Sequence, residues 1–507
     1  MKQTLPSKKT NLKKLNSAEK QRVTISNLAI MPAAIKDYID ALIKVYRPKF
    51  KYKLKVEFFY YIIVTMIRRQ NTYENKCHEN IPVALNASFL KRIRSDYNEY
   101  LEWLIEQEVI FKAENYVVGL SSNKYRFADF ILPTIYDNMF STVVEMKGLE
   151  SDNVIVANSI SNLPIYRANE HLLKWFDDKI TVDFEKANKY IEDTVFWESE
   201  HFDFKYSKFH WIQQVSAMHN KIYHATRNEQ SDYRLHTILT NLKKNIKPFI
   251  KYDGKNLVGY DLKNSQPFFL IYLIDCIINN NKNINPILYK VYNSKYTFML
   301  QNVKEILCQK GFQEEYVVFK KWVLDGKIYE EMEGVIRPKK RLGSYFVNKF
   351  DKAKKITARK KVDNVRAMMK GVIFTLFFSG VNTKSPDYKT FKNAFPNLVA
   401  VIELFKENDN ADFSKVLQNI EADCIIDFVS KKLAVGHPEM PLFSIHDSLS
   451  TTEDFGDILK TLMPLYVLEY TGLMPIVDEE KWKKSDCQVD YKKRVELHPE
   501  WYAFNSF

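Results

Sequence analysis

Cysteine is scarce in this chain and never clustered. The five residues, Cys77, Cys276, Cys308, Cys424 and Cys487, form no C-x-x-C pair, which argues against a structural zinc site and against a disulfide framework. That usage suits a reducing compartment. Also missing is any apolar run near the ~18–20 residues of a membrane-spanning helix. The amino terminus is polar and basic, without the apolar centre of a signal peptide. A soluble, cytoplasmic protein with no membrane contact is expected. Acidic charge is in deficit: 62 Asp and Glu face 75 Lys and Arg, a net of +13. The excess points to a polyanionic partner, nucleic acid before an anionic membrane surface, although scattered surface lysine gives the same balance.

What is present is enough for a large core, since 507 residues with 46% hydrophobic content suggest two or three domains. Residues 1–28 are rich in Lys, Asn and Ser and read as a flexible basic arm. Between 29 and 130 the pattern is a helical, winged-helix-like domain: a buried helix around Phe58 to Val64, two short helices, then a small hairpin through Ile110-Phe111, Tyr116-Val117-Val118 and Lys124 to Phe127. Lys91, Arg92, Arg94 and Lys124 are its candidate DNA contacts; a packing or protein-binding unit is the other reading. Residues 131–230 read as a helical linker and thumb-like region. There Asp183 and Glu185 have the Asp-x-Glu spacing of a metal motif, but Asp183 reads better as a helix N-cap.

The chemistry concentrates downstream. Asn256 to Pro267 reads as a strand carrying Asp261 near its end, a polar turn and a buried helix beginning Phe268-Phe269-Leu270. Leu442 to Ser450 repeats the pattern as strand, turn and strand around His446-Asp447. Two such carboxylates brought together by a sheet are what two-metal phosphoryl transfer requires. Between them, Arg366, Lys370, Phe374 and Phe378 recur at intervals of four, on one helix face. Cations at one end of that face suit a triphosphate, and the aromatics suit a base and sugar. A basic tract, from Arg337 through Lys361, leads into that helix and fits template and triphosphate steering.

Taken in order, these stretches resemble the polymerase core of family A DNA polymerases and, more distantly, the single-subunit phage-type RNA polymerases, over roughly residues 230–490. Asp261 to Gln266 is similar to motif A, Arg366 to Gly380 to motif B, and Ile445-His446-Asp447-Ser448 to motif C; Arg234-Leu235 and Gln418 to Ile426 match flanking segments. The resemblance implies an α+β fold: a right-hand palm, fingers and thumb polymerase core with an antiparallel palm sheet over 231–507, fingers at about 285–400, preceded by the mainly helical region.

It also implies roles. Asp261 and Asp447, with the backbone carbonyl of Leu262, would hold two Mg²⁺ ions, with Mn²⁺ as the substitute. Arg366 and Lys370 would bind phosphates, Lys370 would protonate pyrophosphate, and Phe374, Phe378 and Gln266 would meet the nucleotide. Arg234, Gln418 and His446 would touch nucleic acid. The departures fall on the sugar side: Gln266 stands where the family usually has glutamate, and Phe378-Ser379 where it has Tyr-Gly. The implied function is DNA-dependent DNA synthesis on a primer–template from nucleoside triphosphates, without a proofreading exonuclease, for a mobile element, plasmid or phage. An RNA-synthesising polymerase or primase, or a DNA-binding replication initiator on a polymerase-like scaffold, is the alternative.

Overall fold

The computed structural model describes residues 23–483 apart from 72–79, 116–121, 133–140, 152–153, 158, 199–203, 229–230, 337–344, 352–355, 363–364 and 384. Most of the basic arm, the strand expected at Tyr116-Val117-Val118, the cations Arg337, Lys339, Lys340, Arg341, Lys352, Lys354 and Lys355, and the aromatic carboxyl terminus lie outside the described residues. The fold is mixed α+β with mainly antiparallel sheets. No described helix is long and apolar enough to cross a membrane.

Buried apolar side chains form two clusters, one from Val23 to Val156 and one from Ile160 to Trp482. The first begins with β1 (Val23–Ser26), β2 (Leu28–Pro32), α1 (Ala33–Tyr46) and α2 (Val56–Asn71). In α2, Phe58, Phe59, Ile62, Ile63, Met66 and Ile67 recur every three to four residues and are fully buried, so one apolar stripe fixes the helix against its neighbours. Next come β3 (Val83–Ala84), α3 (Ala87–Ile93), α4 (Tyr97–Glu106), β4 (Ile110–Glu114) and β5 (Lys124–Phe127), the strands in antiparallel order β3-β5-β4. Asn86 starts α3 by accepting a hydrogen bond from the Phe89 N–H at 3.0 Å. Two of the four candidate DNA cations are engaged within the unit, Arg94 with Asp96 and Lys124 with Glu114, each at 2.6 Å. Lys91 and Arg92 lie exposed on α3, whereas α4 carries Glu99, Glu102 and Glu106 and no cation. β6 (Ser141–Glu145) pairs with β2, and β7 (Val154–Ala157) runs parallel to β1.

The second cluster opens with β8 (Ile180–Val182), α5 (Phe184–Glu198) and α6 (Phe204–His219). Asp183 caps α5, accepting from the Lys186 N–H at 3.3 Å. After the short ladder of β9 (Ala225–Thr226) and β10 (His236–Thr237) come β11 (Ile250–Tyr252) and β12 (Lys255–Leu262). Asp253 and Gly254, both at positive φ (49° and 75°), make the tight turn between them. α7 (Ser265–Ile278) is apolar and buried nearly all round, as its composition requires. Helices α8 (Asn285–Tyr292), α9 (Tyr296–Leu307), α10 (Lys310–Leu324) and α11 (Ile328–Ile336) follow. The basic tract then forms an antiparallel pair, β13 (Tyr345–Asp351) with β14 (Ile356–Val362), a feature the charge pattern did not foretell.

α12 (Val365–Phe378), α13 (Pro386–Ala394), α14 (Pro396–Phe405) and α15 (Asp412–Ala422) lead through a π-helical segment, Asp423–Val429, into α16 (Ser430–Gly436). β15 (Phe443–Ile445), β16 (Ser448–Thr452), α17 (Gly456–Thr471) and β17 (Val477–Lys481) complete the described chain. The main sheet has the order β15-β16-β12-β11-β8, with β17 also on β12.

The carboxyl end of α12 is held by a buried cation. Lys406, 2% exposed, donates from Nζ to the carbonyls of Leu376 at 2.5 Å and Ser379 at 2.8 Å, where the helix dipole is negative. Burial pulls its amine down to about 8 from 10.5, against the pull of Glu403. The unfolded chain therefore holds more protons between these values, so stability should rise with pH from about 8 to 10.5. In urea melts, wild type is expected to gain roughly 2–3 kcal/mol over this window relative to Lys406→Met.

Candidate active site

Asp261 is the next-to-last residue of β12. On one side it faces Ser448 of β16, and on the other Asp478 of β17. Directly opposed residues of antiparallel strands point to the same face. Gly259, Asp261, Ser448, Ser450, Asp478 and Glu480 therefore share one face of the sheet. Gly259 is needed there because a Cβ would fall 2.8 Å from Ser450 Oγ.

β15 and β16 are joined by two residues only, His446 and Asp447. His446 takes a positive φ of 55°, and Ser448 Oγ closes the turn by donating to the Ile445 carbonyl at 2.8 Å. The turn brings Asp447 within hydrogen-bonding reach of Asp261. A cleft of about 410 Å³ opens over the pair, lined also by Lys244, Lys247, His446, Asp478 and Glu480. Asp261 is exposed to the cleft's water, but protein surrounds it on most sides. Partial burial, and then the Asp447 charge, raise its carboxyl above the ordinary range, while Lys370 on α12 lowers it. Burial and then Arg234 push the His446 imidazole down, and its Nδ1 is buried without a partner.

α12 presents the anticipated face. Arg366, Lys370, Phe374 and Phe378 are exposed, while Met369, Val372, Ile373, Leu376 and Phe377 are buried. The Phe374 and Phe378 rings stack with centroids 5.3 Å apart, and Lys370 Nζ lies 5.9 Å from the Phe374 centroid. Arg366 is ion-paired with Glu330 and lies over the Tyr329 ring at 5.0 Å. Leu262 ends β12 opposite Val477, its side chain buried. Gln418 is half-buried on α15.

Arg234 and Gln266 meet a residue that motif matching passed over. Glu421, fully buried on α15, accepts from Arg234 Nε at 2.7 Å and Nη2 at 2.5 Å on Oε1, and from Gln266 Nε2 at 2.6 Å on Oε2. Arg234 is thus held inside the protein rather than free to reach a minor groove. Burial, followed by the charge of nearby Asp447, raises the Glu421 carboxyl, and Arg234 and Gln266 oppose them. We take it as the carboxylate, because protonating it would leave the half-enclosed guanidinium without a counter-charge. A signal was available: Leu417, Glu421 and Ile425 lie four apart on the inner face of one helix, so a charge at that spacing had to be buried. Lys247 and Glu480 escaped notice too; they pair at 2.5 Å, with Lys244 at 3.4 Å from the same carboxylate.

Among the described residues no group of three or more His, Cys, Asp or Glu side chains is arranged to hold a metal ion. Mg²⁺ does not require one, since it commonly takes one or two carboxylates with waters and substrate phosphates. Two acids within hydrogen-bonding reach, one with its carboxyl raised, fit that demand. No protein-family model matches the chain, and no curated protein matches it.

Glu421→Ala should cost about 3–5 kcal/mol in urea unfolding, because it strands the Arg234 charge. Millimolar Mg²⁺ or Mn²⁺ should raise the melting temperature of wild type by a few degrees through binding to the folded state, and Asp261→Asn should lose most of that response in a thermal melt.

Proposed function

We propose that this chain is a template-directed nucleotidyl transferase, a DNA-dependent DNA polymerase with palm and fingers built around β12 and α12. One observation carries the reading: Asp261 and Asp447, from distant parts of the chain, lie side by side at the floor of a cleft, with Lys370 close enough to influence Asp261. Asp261 and Asp447, with the Leu262 carbonyl, would hold Mg²⁺, which lowers the pKa of an attacking primer hydroxyl and neutralises a leaving pyrophosphate. Lys370 stands where it can hold the triphosphate and give a proton to the departing oxygen. Phe374 and Phe378 offer stacked, exposed rings to the base and sugar. Arg366 exchanges Glu330 for phosphate, and Gln418 and His446 border the new duplex. The short helices and hairpin before residue 130 have the element order of a winged helix, which directs the enzyme to its DNA.

A second reading, RNA synthesis or priming, is favoured by the sugar side: Phe378 has no hydroxyl, and the Gln266 amide is committed to Glu421.

Extension of a labelled DNA primer–template with Mg²⁺, with dNTPs and NTPs in separate lanes, tests both. Extension is expected with dNTPs, falling about 10³-fold or more in Asp261→Ala and in Asp447→Ala. Faster extension with NTPs selects the second reading. Primer–template binding without extension in any lane would sink primed synthesis and leave a DNA-binding initiator.

A further inference from the structure

Orphan polar atoms gather beside the acid pair. Asn264, 8% exposed, has neither side-chain Nδ2 nor Oδ1 paired, and Gln266 Oε1 is buried without a partner. Both residues lie at the start of α7, within five positions of Asp261. Buried polar atoms are nearly always hydrogen-bonded, so orphans gathered at a cleft mark the contacts a ligand completes.

Gln266 is also oriented. Its carboxamide has one donor end and one acceptor end. Glu421, ionised against Arg234, can only accept, so it takes the Nε2 end at 2.6 Å. The oxygen is thereby forced to the opposite side, where an acceptor stands unmatched. An acceptor of this kind pairs with a hydroxyl or an amine and repels phosphate oxygen. In a nucleotide site the hydroxyls are those of the sugar.

We propose that Glu421 is a specificity-determining positioning residue, which fixes the Gln266 amide with its oxygen towards a sugar hydroxyl of the incoming nucleoside triphosphate. The inference rests on the nucleotidyl-transfer reading. Glu421 does not touch the substrate; it decides which end of Gln266 does. The hydroxyl is the 2′-OH if the substrate is a ribonucleotide and the 3′-OH if it is a deoxyribonucleotide. A dideoxynucleotide offers neither.

Single-nucleotide incorporation on one primer–template, measured as kcat/KM for a dNTP, the matching NTP and the matching ddNTP, tests it. Glu421→Gln keeps the shape of the side chain. The new carboxamide oxygen takes Arg234, and its NH₂ group then faces Gln266, which must turn its own amide and present nitrogen to the sugar. The full-length parent should favour at least one hydroxyl-bearing nucleotide over the ddNTP. Glu421→Gln should reduce that preference about tenfold, the scale of one lost buried hydrogen bond. The ratio that falls, NTP to ddNTP or dNTP to ddNTP, names the hydroxyl. Gln266→Met, which leaves Glu421 on Arg234, should reduce the same ratio and serves if Glu421→Gln does not fold.

Equal losses on all three nucleotides, with both ratios unchanged within twofold, would reduce Glu421 to a structural role and overturn the proposal. A parent that incorporates nothing would instead overturn the nucleotidyl-transfer reading, and the inference with it.

Discussion

The site depends on the register of β12. That strand is held on both edges, by β16 on one and by β11 and β17 on the other, and the face carrying Gly259 and Asp261 opens to the cleft while Val258 and Tyr260 pack towards Gly456 of α17. A slip of one residue would turn Asp261 inward and a buried tyrosine out to water. Such a slip is costly on both counts, so the position of the carboxylate is fixed by apolar burial rather than by any contact of its own. The two-residue turn does the same for Asp447, since strands paired through Ile445 and Ser448 leave the acid one place to stand.

Around this frame, charge is arranged in two layers. The outer layer lines the cleft: Asp261, Asp447, Asp478 and Glu480, with Lys244 and Lys247 countering Glu480 alone. The inner layer is Glu421 with Arg234, closed off from water. Because Asp447 raises the Glu421 carboxyl through the protein, the layers are coupled. Negative charge at the acid pair works against the buried carboxylate, and a cation there relieves both. The π-helical turn directly after Glu421 is the kind of backbone irregularity found at functional sites, and Asp423 and Asp427 within it are anchored to Tyr470 and Arg227.

Much of this was legible in the sequence, for identifiable reasons. Strands and helices around Asp261 and Asp447 were readable because local pattern and buried composition agree there, as in β12 and α7. The α12 face was readable because a spacing of four is a statement about helix geometry alone. Glu421 was hidden because its partners, Arg234 and Gln266, are far from it in the chain, and only a folded sheet brings the three together. The engagement of Arg366 with Glu330 and of Arg94 with Asp96 was hidden for the same reason: sequence shows which cations exist, and structure shows which are already paired. The β13–β14 pair was masked by its charge, since lysines on alternating positions of a ribbon read like a solvated helix.

The departures from the family pattern also fit one another physically. Ser379, beyond the end of α12, spends its hydroxyl on the Thr375 carbonyl at 2.5 Å, and its own carbonyl on Lys406. Phe378 has no hydroxyl to offer. No oxygen from α12 therefore reaches across to the residue five places after Asp261, and a glutamate there would be a second buried acid beside Glu421 with no donor of its own. Glutamine avoids that repulsion and supplies the donor that Glu421 lacks on Oε2. Position 266 is thus neutral because position 421 is charged, and position 421 tolerates its charge because Arg234 is drawn in to meet it.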